Sequence, residues 1–171
     1  MDCDAKNALV LGIDPGLNTT GYGLLEMVDG DPKLVEAGVV RSRARDPLEK
    51  KLLEIHRGVA ELLTAFQPTV MSLEQLYSHY ERPTTSILMG HARGVICLAA
   101  AQAGVPIAHY AATHVKKMLT GSGRAPKAQV QLAICRQFGL AQVPEPPDVA
   151  DALAIALCHV YFRKSPLNSP S

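Results

Sequence analysis

The chain has 171 residues, of which 47% are hydrophobic and 19% charged, with a net charge of +1. That length supports one domain with a full core, and that balance excludes a disordered chain. A near-neutral total excludes any reading of partners from gross charge, and no apolar run is expected to reach the ~18 residues that a membrane helix needs.

In chain order, residues 8–14 read as a first strand: the apolar, partly β-branched run Ala8 to Ile13 stops at Asp14 and is followed by Pro15–Gly16. Thr19 to Glu26 reads as a second strand, Asp29–Gly30–Asp31–Pro32 as a turn, and residues 34–40 as a third strand, so the chain opens as an antiparallel meander. After Pro47 the apolar residues Leu48, Leu52, Ile55, Val59, Leu62, Leu63 and Phe66 recur at helical spacing, giving an amphipathic helix that ends near Gln67–Pro68. A fourth strand covers 69–74. A polar segment, Ser78 to Thr85, leads to a helix over 86–103 that is apolar on nearly every side, and a short fifth strand covers 105–110. Helices follow over about 112–119 and 126–138. A last one starts near Pro147, where proline suits the first turn, and fades before Pro166. The expected architecture is α/β: a single domain with an ordered core over about 8–163, a flexible tail over 164–171, and a five-stranded mixed sheet carrying helices on both faces. Strands one, four and five would run parallel.

Acids recur at the ends of apolar segments. Asp14 ends the first strand, Glu74 ends the fourth, and Asp148 and Asp151 open the last helix three residues apart, on one side of its first turn. Parallel strands place Asp14 and Glu74 on the same carboxyl edge, where open α/β sheets hold their sites. Three carboxylates within ~4 Å of one another would repel by about 4 kcal/mol per pair at an effective dielectric near 20. Protonation or a divalent cation must relieve such a cost. All the donors are hard oxygens, which favours Mg²⁺ or Mn²⁺ over zinc. Each acid alone also fits a plainer role: a turn at Asp14, an exposed strand end at Glu74, a helix cap at Asp148 or Asp151.

The basic residues are unevenly spread. From Arg82 to Pro144 there is no Asp or Glu, and the stretch holds Arg82, Arg93, Lys116, Lys117, Arg124, Lys127 and Arg136, while all 16 acids lie outside it. This asymmetry suits a polyanion held on one surface and cut at an acidic centre; a solvated basic face is the alternative. Lys116–Lys117 and Lys127 flank the Gly121–Ser122–Gly123 loop, and Tyr77 stands three residues after Glu74, where it can stack on an unpaired base or pack at the core edge. The four cysteines, Cys3, Cys97, Cys135 and Cys158, form no CxxC pair, and the six histidines show no zinc spacing. An N-terminus with acid at Asp2 and Asp4 does not look like a signal peptide, so a cytoplasmic location is expected.

Taken in order, LVLGIDPGLNTTGYG over Leu9–Gly23, Glu74–Gln75, GHARG over Gly90–Gly94, Lys116–Lys117 and DVADALAIA over Asp148–Ala156 resemble the RuvC family of bacterial Holliday-junction resolvases, across about residues 8–162. The resemblance implies a ribonuclease-H-like fold. It also implies a homodimer that makes paired nicks in four-way junction DNA, leaving 5′-phosphate ends, with Mg²⁺ or Mn²⁺, two per active site. By position it makes Asp14, Glu74, Asp148 and Asp151 the catalytic, metal-binding acids. Tyr77 becomes an aromatic near the junction centre and Lys116 and Lys127 DNA contacts; Arg82, Arg93, Lys117 and Arg124 complete the expected DNA surface. RuvA and RuvB, the branch-migration proteins, are implied partners. Two departures bear on affinity and sequence preference: a slightly longer 78–85 segment containing Glu81, and the low overall charge. Two rivals stand beside this reading. Asp14–Pro15–Gly16 before Thr20–Gly21–Tyr22 also suits the phosphate hairpin of actin-like ATPases and sugar kinases, which pair two such domains. A non-enzymatic junction binder would need the bases but not the acids.

Overall fold

A computed structural model describes residues 8–75 and 83–164. Strand β1 (Leu9–Asp14) turns back into β2 (Thr19–Val28), which pairs with it antiparallel, and β2 pairs antiparallel with β3 (Asp31–Arg41). The β2–β3 connection is tighter than the sequence suggests. Only Asp29 and Gly30 lie between the strands, both with positive φ (51° and 85°), the geometry that matches strand twist in a two-residue hairpin. Pro32 therefore sits inside β3 instead of in the turn. It is tolerated because β3 is an edge strand of the sheet order β3-β2-β1-β4-β5, where a missing N–H need not break a ladder.

Helix α1 (Leu48–Phe66) ends at Gln67, whose left-handed backbone returns its N–H to the Leu63 carbonyl at 3.0 Å just before Pro68. Strand β4 (Val70–Glu74) runs parallel to β1, with Ile13 opposite Leu73. Helix α2 (Pro83–Gln102) begins three residues before the expected start. It leads to β5 (Ile107–Tyr110), parallel to β4, which omits the expected Val105 and Pro106. Helices α3 (Ala112–Thr120), α4 (Lys127–Phe138) and α5 (Pro147–Lys164) complete the described chain. The expected five-stranded mixed sheet with helices on both faces is what forms. The expected flexible tail lies, apart from Lys164, outside the described residues.

Two-residue alternation assigns the faces. Leu11 and Ile13 of β1 and Met71 and Leu73 of β4 pack with Ile55, Val59, Ala92 and Ile96 of α1 and α2. Val10 of β1 and Leu25 of β2 pack on the other face with Leu153, Ile155 and Leu157 of α5, together with Val115 and Ile134 from α3 and α4. Because Val10 faces α5, the same alternation sends Gly12 and Asp14 there, and on β4 it sends Ser72 and Glu74. Ser72 is buried and donates its hydroxyl to the Ile155 carbonyl at 3.2 Å, tying β4 to α5.

Helix α5 lies close to the sheet. A Cβ at Gly12 would stand 2.7 Å from both the amide nitrogen and the Cβ of Ala156 and nearer still to the Ala152 carbonyl; at Gly21 it would overlap the Asp148 carbonyl. These two glycines let the helix backbone descend onto β1 and β2. Enclosed by sheet, α3 and α4, α5 buries almost every residue from Val149 to Cys158, as expected of a helix apolar all round.

Helix α2 differs. It buries Ala92, Ile96, Ala99 and Ala100 but leaves Ile87 63% and Leu98 51% exposed. By length and apolar composition it also meets the criterion for a membrane span, alone among the described helices, which corrects the expectation that no stretch would. The reason is that Arg93 is its only formal charge. In the fold its inner face belongs to the sheet's core.

Candidate active site

The carboxyl ends of β1 and β4, the first turns of α5 and the starts of α3 and α4 meet at one edge of the sheet. They form a pocket of about 300 Å³ lined by Asp14, Glu74, Lys116, Lys127 and Asp151, with Ala112, Val115, Val130, Ala154 and Ile155 as its apolar wall. A larger cavity, about 830 Å³, opens at the opposite edge between Val10, Val70, Ile107, His159 and Arg163; none of the four acids lines it.

Three of the four predicted acids line the pocket. Asp148 does not: it stands half-buried at the first turn of α5, on the rim, yet its charge is felt at Asp14. Burial, followed by the charges of Asp151, Glu74 and Asp148, pushes the Asp14 carboxyl up from 3.8 to about 8, against a small opposing pull from Lys127. Glu74 is raised too, first by burial and then by Asp151, with Lys116 pulling the other way. At both acids burial leads and neighbouring negative charge adds to it.

The basic residues divide into distinct roles. Lys127 Nζ donates to Asp151 Oδ2 at 2.7 Å, and this bond leads the causes that raise its own proton affinity. Lys127 thus supplies a positive charge among the acids, a pairing that the sequence does not signal because 24 residues separate the partners. Lys116 lines the pocket beside Glu74. Lys117 and Arg124 are exposed and do not line it. Arg93 is engaged inward: Nε donates to the Glu74 carbonyl at 3.1 Å and a terminal nitrogen donates to His109 Nδ1 at 2.6 Å. Tyr77 and Arg82 lie outside the described residues.

Among the described residues no three His, Cys, Asp or Glu side chains form a closed metal-ligand set. With Asp151 held by Lys127, the acids are neighbours in charge without converging on a single point. The chemistry of the donors nevertheless suits a hard divalent cation: every candidate ligand is a carboxylate, and the neighbouring acids that add to burial in raising Asp14 also attract a cation.

Comparison with known proteins identifies the family and the fold. The family model for crossover junction endodeoxyribonuclease RuvC matches residues 10–159. A protein of that name from Rhodopirellula baltica is 57% identical over 159 residues, spanning 93% of this chain and 89% of the relative. One from Moorella thermoacetica is 43% identical over 154 residues, spanning 90% and 92%. The solved structure of Thermus thermophilus RuvC superposes with a TM-score of 0.83 at 33% identity, covering 91% of this chain and 95% of the other. That of T. thermophilus RuvC in complex with Holliday junction substrate gives 0.82 at 34% identity, covering 92% and 95%. A family match over residues 10–159, a relative 57% identical over 159 residues and a shared fold lead to one assignment: this chain belongs to the RuvC family of crossover junction endodeoxyribonucleases.

Proposed function

We propose that this chain resolves Holliday junctions by divalent-metal-dependent hydrolysis of DNA phosphodiesters, and that Asp14, Glu74 and Asp151, with Asp148 at the rim, are the acids that do it. One observation carries the assignment of the site. Asp14 is held near pKa 8 first by burial and then by acids delivered from two other elements, β4 and α5. A fold that needed only a turn at Asp14 would have no reason to gather Glu74 and Asp151 around it.

The four carboxylates would hold Mg²⁺ or Mn²⁺, two per site in the expected arrangement. Such ions, when bound, activate a water and stabilise the leaving oxygen of a phosphodiester. The protein's own contribution is charge and position. Lys127 keeps Asp151 in place and offsets part of the negative field, Lys116 stands beside Glu74 where a phosphate approaches, and Val115, Val130 and Ile155 wall the pocket on its inner side. Lys117 and Arg124, exposed beyond the pocket, extend the positive surface for more distant phosphates. Tyr77 and Arg82 follow Glu74 closely in sequence and belong to the same proposed DNA surface.

The proposal extends to a homodimer, RuvA and RuvB as partners, and a cytoplasmic location with the DNA. A junction has approximate two-fold symmetry, which a C2 pair matches with one active centre for each of two strands. The outer face of α2 supports this: Ile87 and Leu98 are exposed, and nothing lies within 4 Å of a Cβ placed at Gly90 or Gly94, so a second helix has room to approach. Neither rival reading retains support, since the chain belongs to a nuclease family and carries the acids that a simple binder would not need.

The direct test is incubation of the protein with a labelled immobile four-way junction and a matched linear duplex in Mg²⁺, Mn²⁺ and EDTA. Paired nicks with 5′-phosphate ends, in the junction only and with metal only, are expected. Equal cutting of both substrates, or cutting in EDTA, overturns the reading. Lys116→Ala is expected to weaken junction binding and to flatten the plot of log affinity against log salt by ~0.9, the value of one phosphate contact. An unchanged slope removes Lys116 from the DNA surface.

A further inference from the structure

We propose that Arg93 is a positioning residue for Glu74, not a phosphate contact, and that His109 is the acceptor that orients it. The inference rests on the nuclease reading of the pocket and adds to it a residue outside the acid cluster.

The argument begins at the end of β4. Its parallel pairing with β1 ends at Leu73, opposite Ile13, so Glu74 lies one residue past that ladder and keeps only its neighbour in β5, Tyr110. A catalytic carboxylate at a strand terminus is only as well placed as the peptide that follows it. Here that peptide is held from both sides. The Gln75 N–H donates to the Tyr110 carbonyl at 2.8 Å, and the Glu74 carbonyl accepts from Arg93 Nε at 3.1 Å. With both ends of the peptide bonded, the direction of the Glu74 side chain toward α5 is set by its backbone.

Arg93 is itself held. A guanidinium has donors only, so His109 Nδ1, 2.6 Å from its terminal nitrogen, must be the acceptor, and the imidazole carries its proton on Nε2. Burial and the adjacent Arg93 charge both lower the proton affinity of His109, in keeping with that neutral form. His109 stands opposite Leu73 in the β4–β5 register. Arg93 therefore reaches from α2 across two adjacent strand ends. It is half-buried, with both of these donors committed inside the protein. Two acceptors at separate positions require the rigid fork of arginine; a lysine ammonium offers one point charge on a flexible stem.

Misplacing a reacting group by about 1 Å can cost on the order of 10²-fold in rate. Arg93→Gln is therefore expected to lower the single-turnover cutting rate at saturating junction by roughly 10- to 100-fold. Junction affinity in EDTA and its salt slope should stay as in the parent. His109→Asn keeps an acceptor oxygen and should cut nearly as the parent does; His109→Leu removes it and should cut roughly 10-fold more slowly, again with unchanged binding. The outcome that overturns the proposal is the reverse split: weaker binding and a flatter salt slope for Arg93→Gln with an unchanged saturated rate, which marks a phosphate contact. Parent-like behaviour in both measurements also overturns it. If Arg93→Gln does not fold, the His109 pair decides, and equal rates for Asn and Leu count against the proposal. Failure here is distinct from failure of the nuclease reading. In the first case the parent cuts the junction and Asp14→Asn does not, while the Arg93 and His109 variants behave as the parent; in the second the parent itself does not cut.

Discussion

Asp14→Asn yields a protein that binds a four-way junction, does not cut it, and melts at a higher temperature than the parent at pH 8 in EDTA. The two halves of this expectation share one cause. In the folded protein the Asp14 carboxyl is raised to about 8, against 3.8 for the free side chain, by burial and by Asp151, Glu74 and Asp148. A folded-state value above the unfolded one means that the native protein binds the proton more tightly. Stability is then unaffected below about pH 4 and falls as the pH rises from about 4 to about 8. At about 1.4 kcal/mol per pKa unit the penalty amounts to a few kcal/mol at pH 8, or several degrees of Tm for a domain of this size. Asparagine has a similar shape and no charge to desolvate, so it removes the penalty. The gain in Tm should grow from pH 5 to pH 8 and vanish near pH 4. Mg²⁺ or Mn²⁺ should raise the Tm of the parent in the same pH range by binding the folded form, and should raise that of Asp14→Asn less. Thermal melting at three pH values with and without metal, beside a junction-cutting assay, checks all of this. Retained cutting, or a lower Tm at pH 8, would remove Asp14 from the centre of the site.

Gly12→Ala should be among the most damaging small substitutions in the described structure. The added methyl meets the Ala152 carbonyl and the backbone nitrogen and Cβ of Ala156. None of these is a flexible side-chain end that can swing aside, so α5 must lift from β1. Overpacking that backbone cannot relieve lies at or beyond the top of the ~1–3 kcal/mol range, which lowers Tm by roughly 5–10 °C in a domain of this size. Because Asp151 rides on the same helix, cutting should fall more than junction binding does. A control at Gly90, where a Cβ meets nothing within 4 Å of this chain, introduces no such clash and should not lower the Tm of protein held monomeric; helix propensity alone favours alanine there. Equal effects at the two positions would mean that close approach of helix and sheet is not what Gly12 provides.

Much of the site is written locally. Asp14 and Glu74 are legible because an apolar run that stops at an acid is a strand with a carboxylate at its end. Asp148 and Asp151 are legible because a three-residue spacing shares one side of a helix. The parallel relation of strands one, four and five follows from the helix in each crossover. The elements that shift do so for reasons outside their own segments. Pro32 is admitted to β3 because that strand is the edge, and Val105–Pro106 are excluded from β5 although the composition suits a strand. The apolar character of 86–103 does not reveal that its inner face closes the core while Ile87 and Leu98 stay exposed.

The sequence by itself determined which residues end strands one, four and five, which acids the chain has to place, and which family it joins, because periodicity and motif order are properties of neighbouring residues. Only the tertiary structure decided that Asp151 enters the pocket while Asp148 stays at its rim, that Lys127 is Asp151's partner, and that Arg93 turns inward to Glu74 and His109. Those outcomes depend on how closely α5 descends onto Gly12 and Gly21 and on the sheet face to which each strand end points. Both are set by packing between segments far apart in the chain, and a difference of one or two ångströms in that packing changes which charged groups meet.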